Sequence, residues 1–367
     1  MCLLQRKYLK VVVNRSILFI IVLRLLYQSK NNDQDLKIIM YSTPASSNKE
    51  KYVPDVEFIT ENNQHLQSRL KVCPKEMYHK DFISIADFET DPWRFLENKF
   101  KAIDDLPEFL KCMSDLTGKI IVERDGRPVV GSGFIHKIRR GELTYCPCHE
   151  CLAKQETKKQ VYGILTVTTV IHNFVKKLAE AIKTRVFSEN WDSKNTKVRL
   201  FYDEENEENE TFIYGYKLLE TDKEINIQSD WCSVECVTHD MELVQELEAK
   251  LDKYMELQGE IYRKSKELSL NDLVIIIGHP HGGPKMISVG KNINIEILKE
   301  VRNYQKWCRY EYDNMTCPGS SGSPVFILGQ PLCGFGYWFG HPHNHSKGLH
   351  EKANGGCSSV GVEHVVI

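Results

Sequence analysis

The sequence predicts an all-β protein with helical additions: two groups of short strands, separated by one long helix and preceded by an α-rich extension. Three observations carry this. From residue 119 onward, short β-branched and apolar runs recur between Asp, Gly and Pro turn residues, the pattern of an all-β hairpin series. Residues 240–268 place Leu243, Leu247, Leu251, Tyr254, Ile261 and Leu268 at three- to four-residue multiples, with Glu and Lys opposite, which reads as an amphipathic helix lying on the body or on a partner. A second series of apolar runs begins after that helix, at Leu273.

Taken in order, residues 1–56 form a leader. Arg6, Lys7, Lys10 and Arg15 precede an apolar run, Ser16–Tyr27, that Arg24 interrupts. Two readings stand: a signal or anchor with membrane contact through residues 11–27, or a buried helix or upstream sequence, since the run is short for a span. Residues 31–56 are polar and rich in Pro, Ser, Asn and Lys, a flexible composition. Residues 57–115 read as a helical extension, with helices over Trp93–Lys101 and Leu106–Met113. The first strand group, residues 116–237, contains Lys119–Glu123, Val129–Ile135, Gly163–Ile171, Lys197–Tyr202 and Thr211–Leu219, with helical spacing over Phe174–Phe187. The acidic run Asp203–Glu210 reads as a solvated hairpin tip, with a calcium loop as the sharper alternative. After the helix (238–270), residues 271–340 supply Leu273–Ile277, Met286–Val289, Cys308–Tyr312, Pro324–Leu328 and Leu332–Trp338, and residues 341–367 read as a tail.

Composition narrows the functional classes. The 367 residues are 41% hydrophobic and 27% charged, ordinary for a soluble globular chain, and the formal net charge of −2 with no basic stripe sets nucleic-acid binding aside. Of twelve cysteines, three crowd into Cys146-Pro147-Cys148-His149-Glu150-Cys151, too close to bridge one another readily. Three thiols and His149 suit a structural zinc ion, with reduced cysteines in a hairpin loop as the plainer reading. Sequons stand at Asn14, Asn209, Asn314 and Asn344. A glycan on Asn314 would crowd the serine turn described next, which favours a reducing, cytoplasmic setting; a secreted or anchored one stays open through residues 11–27.

One stretch proposes a chemistry. Gly319-Ser320-Ser321-Gly322-Ser323-Pro324 brackets a serine with glycines, which let the backbone bend sharply and aim N–H groups at one spot. A serine nucleophile needs a histidine base, and the base needs a carboxylate to orient it. His172 ends the apolar strand Gly163–Ile171, and Asp230 precedes the run Trp231–Val237, both positions from which a polar side chain can enter a cleft. His279 and His281 sit in a Gly/Pro-rich turn, and His341, His343, His345 and His350 lie near the end, where spacing alone gives a weak metal signal.

At these residues the chain resembles the trypsin-like (chymotrypsin-fold) serine proteases. Gly163-Ile164-Leu165-Thr166 leading to Thr169-Val170-Ile171-His172 is similar to the family's histidine strand, Asp230 to its aspartate, and Gly319–Pro324 to its serine turn. Gly131-Ser132-Gly133-Phe134-Ile135 looks like the strand before the histidine hairpin, especially in the intracellular and HtrA-like branch. The resemblance covers roughly residues 116–340. It implies two six-stranded antiparallel barrels and a serine endopeptidase in which His172, Asp230 and Ser321 form a triad. It further implies an oxyanion hole from the N–H groups of Gly319 and Ser321, and a substrate pocket around Met315, Tyr337, Trp338 and Phe339. No cofactor is required, and a polypeptide is the implied substrate. Departures are Val170 and Ile171 where the family carries two Ala, and the absence of a cysteine after His172 and of an Ile-Val-Gly-Gly activation site, so the likeness is greatest to compact, little-characterised members with a Cys-Pro-Cys cluster and no zymogen step. The alternative is a catalytically silent protein of this fold that binds a partner, a reading prompted by the bulk of Tyr337 and Phe339.

Overall fold

Two long bent strands shape the molecule, one in each of two antiparallel sheets. A computed structural model describes residues 57–58, 65–124, 126–141, 146–154, 161–175, 195–205, 210–219, 230–302, 305–330, 341–344 and 356–364. These residues fall in one compact unit, Glu50–Ile367. The N-terminal extension contributes strands β1 (Glu57–Phe58) and β2 (Ile83–Ser84) and helices α1 (Leu66–Lys71), α2 (Ile85–Thr90) and α3 (Leu106–Asp115). The helix expected over Trp93–Lys101 is instead two 3-10 stretches, Pro92–Arg94 and Asn98–Ala102. The break falls at Glu97, whose extended backbone (φ −61°, ψ 146°) separates the two turns.

The first sheet is a closed six-stranded barrel of β3 (Thr117–Arg124), β4 (Arg127–Gly141), β5 (Tyr162–Val170), β6 (Thr196–Leu200), β7 (Thr211–Leu219) and β8 (Trp231–Thr238), with β1 added to β4. β4 closes it: its first half pairs with β3, its second with β5, and a register shift between Ile135 and Lys137 supplies the corner. A short helix, α4 (His149–Ala153), lies between β4 and β5. In the second sheet, β9 (Leu273–Gly278), β10 (Met286–Arg302), β11 (Gln305–Tyr312), β12 (Pro324–Ile327), β13 (His341–Asn344) and β14 (Gly356–His364) run in the order β11-β14-β13-β12-β9-β10, and β10 returns to pair with β11. Here β10 bends, pairing with β9 over Met286–Lys291 and with β11 from Asn292. This is the two-barrel all-β architecture the sequence predicts. β13 and β14 carry the second sheet beyond residue 340, into the stretch read from sequence as a tail.

Helix α5 (Met241–Glu267) begins where Asp240 caps it, its carboxylate accepting the Leu243 N–H at 2.9 Å, and ends with Lys264 and Lys266 against the negative end of its dipole. Leu243, Leu247, Leu251, Tyr254 and Ile261 are buried as their spacing predicts, so the helix packs on its own body; Leu268, just past its end, is exposed. Phe109 of α3 stacks on Tyr254 at 4.8 Å and meets Phe326 of β12 at 4.8 Å, while Phe134 of β4 contacts Tyr254 at 5.2 Å. One aromatic cluster thus joins both helices to a strand of each sheet. Such pairs contribute about 0.5–1.5 kcal/mol each beyond the area they bury.

No helix among the described residues is long and apolar enough to cross a membrane. The leader with residues 11–27, the spacing over 176–187, residues 206–209 of the acidic run, and the expected strand 332–338 lie outside the described residues. The Asn314 amide is buried and donates to the carbonyls of Val274 (3.0 Å) and Ser288 (2.8 Å), so in the folded protein it is closed to a glycan.

Candidate active site

Strand register brings the histidine and the aspartate together. β5 ends at Val170 and runs into one 3-10 turn, Ile171–Asn173, that carries His172; β8 begins immediately after Asp230. Val170 lies opposite Trp231, and the ladder continues with the Ile171 N–H donating to the Asp230 carbonyl at 3.2 Å. Asp230 has φ 55°, a left-handed conformation that Asp tolerates better than most residues. Its carboxylate accepts the His172 backbone N–H at Oδ1 (3.0 Å) and bonds the ring Nδ1 through Oδ2. A carboxylate bonded to Nδ1 holds the proton there and leaves Nε2 as the basic nitrogen. That Nε2 is buried and has no hydrogen-bond partner among the described residues.

Ser321 stands in the turn between β11 and β12. Gly319 and Gly322 on either side have φ of 92° and 91°, and an added Cβ would lie 2.6 Å from the His279 carbonyl and 2.0 Å from the Ser132 carbonyl respectively. Glycine is therefore demanded twice at each position, by conformation and by space. The Pro318 carbonyl accepts the His281 N–H at 2.6 Å, and the Ser320 carbonyl accepts the Ser323 N–H at 3.0 Å. These carbonyls share trans peptide units with the N–H groups of Gly319 and Ser321, so each N–H points away from the bond that anchors its unit.

Ser132 of β4 joins the serine turn to the first barrel. Its N–H donates to the Ser321 carbonyl (2.8 Å), its hydroxyl donates to the Gly319 carbonyl (3.0 Å) and accepts the His279 N–H (2.9 Å), and its carbonyl accepts the Thr169 hydroxyl (2.7 Å). Thr169 lies three residues before His172 on the same strand. Histidine strand and serine turn thus hold the same residue. Sequence reading placed Ser132 in a strand and missed this part; the flanking Gly131 and Gly133 were the only signal. His172, Asp230 and Ser321 are 1%, 2% and 1% exposed.

The remaining sequence-predicted positions are distributed differently. Met315 is buried among Cys73 and Cys317 and borders a cavity with Phe100, Leu273, Lys291 and Asp313, which His172, Asp230 and Ser321 do not line. Tyr337, Trp338 and Phe339 lie outside the described residues. In the cysteine cluster the fourth ligand differs from the expectation. His149 is exposed on α4, whereas His239, immediately after β8, brings Nε2 to 3.3, 3.5 and 3.4 Å from the sulfurs of Cys146, Cys148 and Cys151. The reason is placement: Cys146 packs with Tyr162, Ile164 and Val237 at the end of the β5–β8 pair, where His239 follows. Bonds of about 2.3 Å to sulfur and 2.0–2.1 Å to nitrogen give tetrahedral edges of about 3.5 Å between them, so the four residues fit a zinc ion. Among the sequence-distant histidines, His343 on β13 bonds the Tyr312 hydroxyl through Nδ1 at 2.7 Å, and His345 and His350 lie outside the described residues.

No protein-family model matches the chain, and no curated protein matches it by sequence. Solved structures similar to it include two named as proteases, and Deg5, all at low identity. The active form of the Rv3671c protease from M. tuberculosis is 13% identical, with TM-score 0.34 over 69% of this chain and 78% of that one. The thermostable serine protease AL20 from an extremophilic microorganism is 12% identical, with TM-score 0.36 over 68% of this chain and 92% of that one. Deg5 is 12% identical, with TM-score 0.32 over 71% of this chain and 90% of that one.

Proposed function

We propose that the chain is a serine endopeptidase that hydrolyses polypeptides through an acyl-enzyme. The observation that carries this is the doubly bonded Asp230–His172 pair with Nε2 left as the acceptor. In the proposed reaction the Ser321 hydroxyl oxygen attacks the peptide carbonyl while Nε2 of His172 takes its proton. The Gly319 and Ser321 N–H groups stabilise the oxyanion. Collapse of the tetrahedral intermediate expels the amine, which receives the proton from His172; water then repeats the sequence on the acyl ester and releases the acid. The Asp230 carboxylate keeps the tautomer and stabilises the imidazolium. A structural zinc at Cys146, Cys148, Cys151 and His239 would brace the far end of β5 and β8, remote from this chemistry.

The second reading, a catalytically silent member of this fold acting as a protein-binding module, is favoured by one observation, the near-complete burial of His172 and Ser321. A fluorophosphonate probe distinguishes the two. Covalent labelling lost in Ser321→Ala, with hydrolysis of a mixed peptide library, is the expected result; unlabelled, well-folded protein that still captures a partner after Ser321→Ala would favour the silent reading.

A further inference from the structure

A second Cys/His cluster lies beside the serine turn. Cys73 and His79 come from the N-terminal extension, His281 from the turn after β9, and Cys317 from the segment four residues before Ser321. Their donor atoms all lie within 4.8 Å of one another. The Cys73 and Cys317 sulfurs are 3.8 Å apart, and the Cys317 sulfur is 3.5 Å from His79 Nε2. Zinc–ligand bonds of about 2.3 Å to sulfur and 2.0–2.1 Å to nitrogen give tetrahedral edges of about 3.8 Å between sulfurs and about 3.5 Å between sulfur and nitrogen. Both observed separations match. The sulfur separation far exceeds the roughly 2.05 Å of a disulfide, and a disulfide would leave two imidazoles turned onto it without purpose. Two thiolates and two neutral imidazoles around a divalent ion form a neutral unit, the form in which such a group is buried at least cost.

We propose that Cys73, His79, His281 and Cys317 bind one zinc ion that clamps the N-terminal extension onto the segment bearing the Pro318–Gly319 peptide. The ligands bracket that peptide. Cys317 precedes it directly, and the His281 N–H holds the Pro318 carbonyl at 2.6 Å. His281 has φ 55°, a conformation a histidine keeps only where its surroundings hold it. Weaker ties run alongside the metal: Arg69 Nε donates to the His281 carbonyl at 3.0 Å, and Lys75 Nζ to the Thr316 carbonyl at 3.0 Å. Residues 65–82 are then part of the site's frame and depend on the metal for their docking, whereas the later part of the extension is held by the core. The effect on labelling of Ser321 rests on the proposed protease chemistry; the metal content does not.

The test is zinc stoichiometry by mass spectrometry on full-length protein purified under reducing conditions, with cobalt substitution as a spectroscopic count of thiolate ligands. In a Cys148→Ser/Cys151→Ser background, which removes the other cluster, one equivalent is expected to remain, with a tetrahedral two-thiolate cobalt spectrum. His79→Ala should remove that equivalent and His79→Cys restore it, because His79 is only partly buried and a thiolate can replace an imidazole as ligand. Loss of the ion should also expose residues 65–82 to limited proteolysis and slow probe labelling at least tenfold. No zinc in the Cys148→Ser/Cys151→Ser background, an equivalent unchanged by His79→Ala, or a Cys73–Cys317 disulfide in freshly alkylated reduced protein would each overturn the proposal. If metal behaves as expected and no variant is ever labelled, the clamp stands and the protease reading fails.

Discussion

Ser132→Ala removes one buried hydroxyl and two hydrogen bonds at the junction of the barrels. The hydroxyl donates to the Gly319 carbonyl at 3.0 Å and accepts the His279 N–H at 2.9 Å, and Ser132 and His279 are both fully buried. Neither backbone partner gains water when the oxygen is deleted, so each bears a desolvation penalty of about 1–3 kcal/mol, and the loss should total about 3 kcal/mol. The backbone bond from the Ser132 N–H to the Ser321 carbonyl survives, so the turn should stay docked while the Gly319–Ser320 peptide loosens. Urea unfolding followed by tryptophan fluorescence measures the stability term. The fluorophosphonate labelling rate in the folded baseline measures the positioning term, expected to fall about tenfold, or about 1.4 kcal/mol in activation free energy. A stability loss under about 0.5 kcal/mol would refute the burial argument. A full stability loss with an unchanged labelling rate would show that Ser132 supports the fold without positioning the turn.

On the proposed protease chemistry, Asp230→Asn should keep the fold, checked by circular dichroism, yet lower peptide hydrolysis on the order of a thousandfold or more, because an amide can offer Nδ1 the wrong tautomeric partner; a loss below tenfold would separate Asp230 from that chemistry. Gly322→Ala, at φ 91° with its Cβ 2.0 Å from the Ser132 carbonyl, should lower stability by about 3 kcal/mol or more in urea unfolding, and a loss under about 1 kcal/mol would contradict the close approach. His136, whose Nδ1 pairs with the Thr168 hydroxyl at 2.7 Å, is pushed down to about 4 by burial and then by Lys137. The unfolded chain therefore takes up this proton first as pH falls, and the stability present above about 6.5 is lost toward pH 4, by about 2 kcal/mol after allowing for its partly exposed edge. Chemical denaturation across that range should show the slope in the native protein and a flatter one in His136→Gln.

What was legible in the sequence is what a strand end or a turn encodes locally. His172 and Asp230 stand where apolar runs stop, and an antiparallel register needs only those stops to bring them side by side. The Gly319–Gly322 bracket announces positive φ because few other residues adopt it. The closing strands β13 and β14 were missed because His341-Pro342-His343-Asn344 and the Gly/Ser-rich Gly356–His364 have weak intrinsic strand preference; pairing with β12 and β11 decides their state. His239 was missed for a related reason. It lies 88 residues from Cys151 and meets it only because β8 runs the full length of the β5 ladder, from Asp230 at one end to His239 at the other. The same strand pair therefore supports two sites of different visibility. The end that carries Asp230 and His172 could be read from motif order, since both residues and Ser321 sit where a strand or a turn begins or ends. The cysteine end could be read only in part, since a metal requires donors to converge in space and places almost no demand on where along the chain they arise. Cys73 and Cys317, 244 residues apart, carry that difference to its limit.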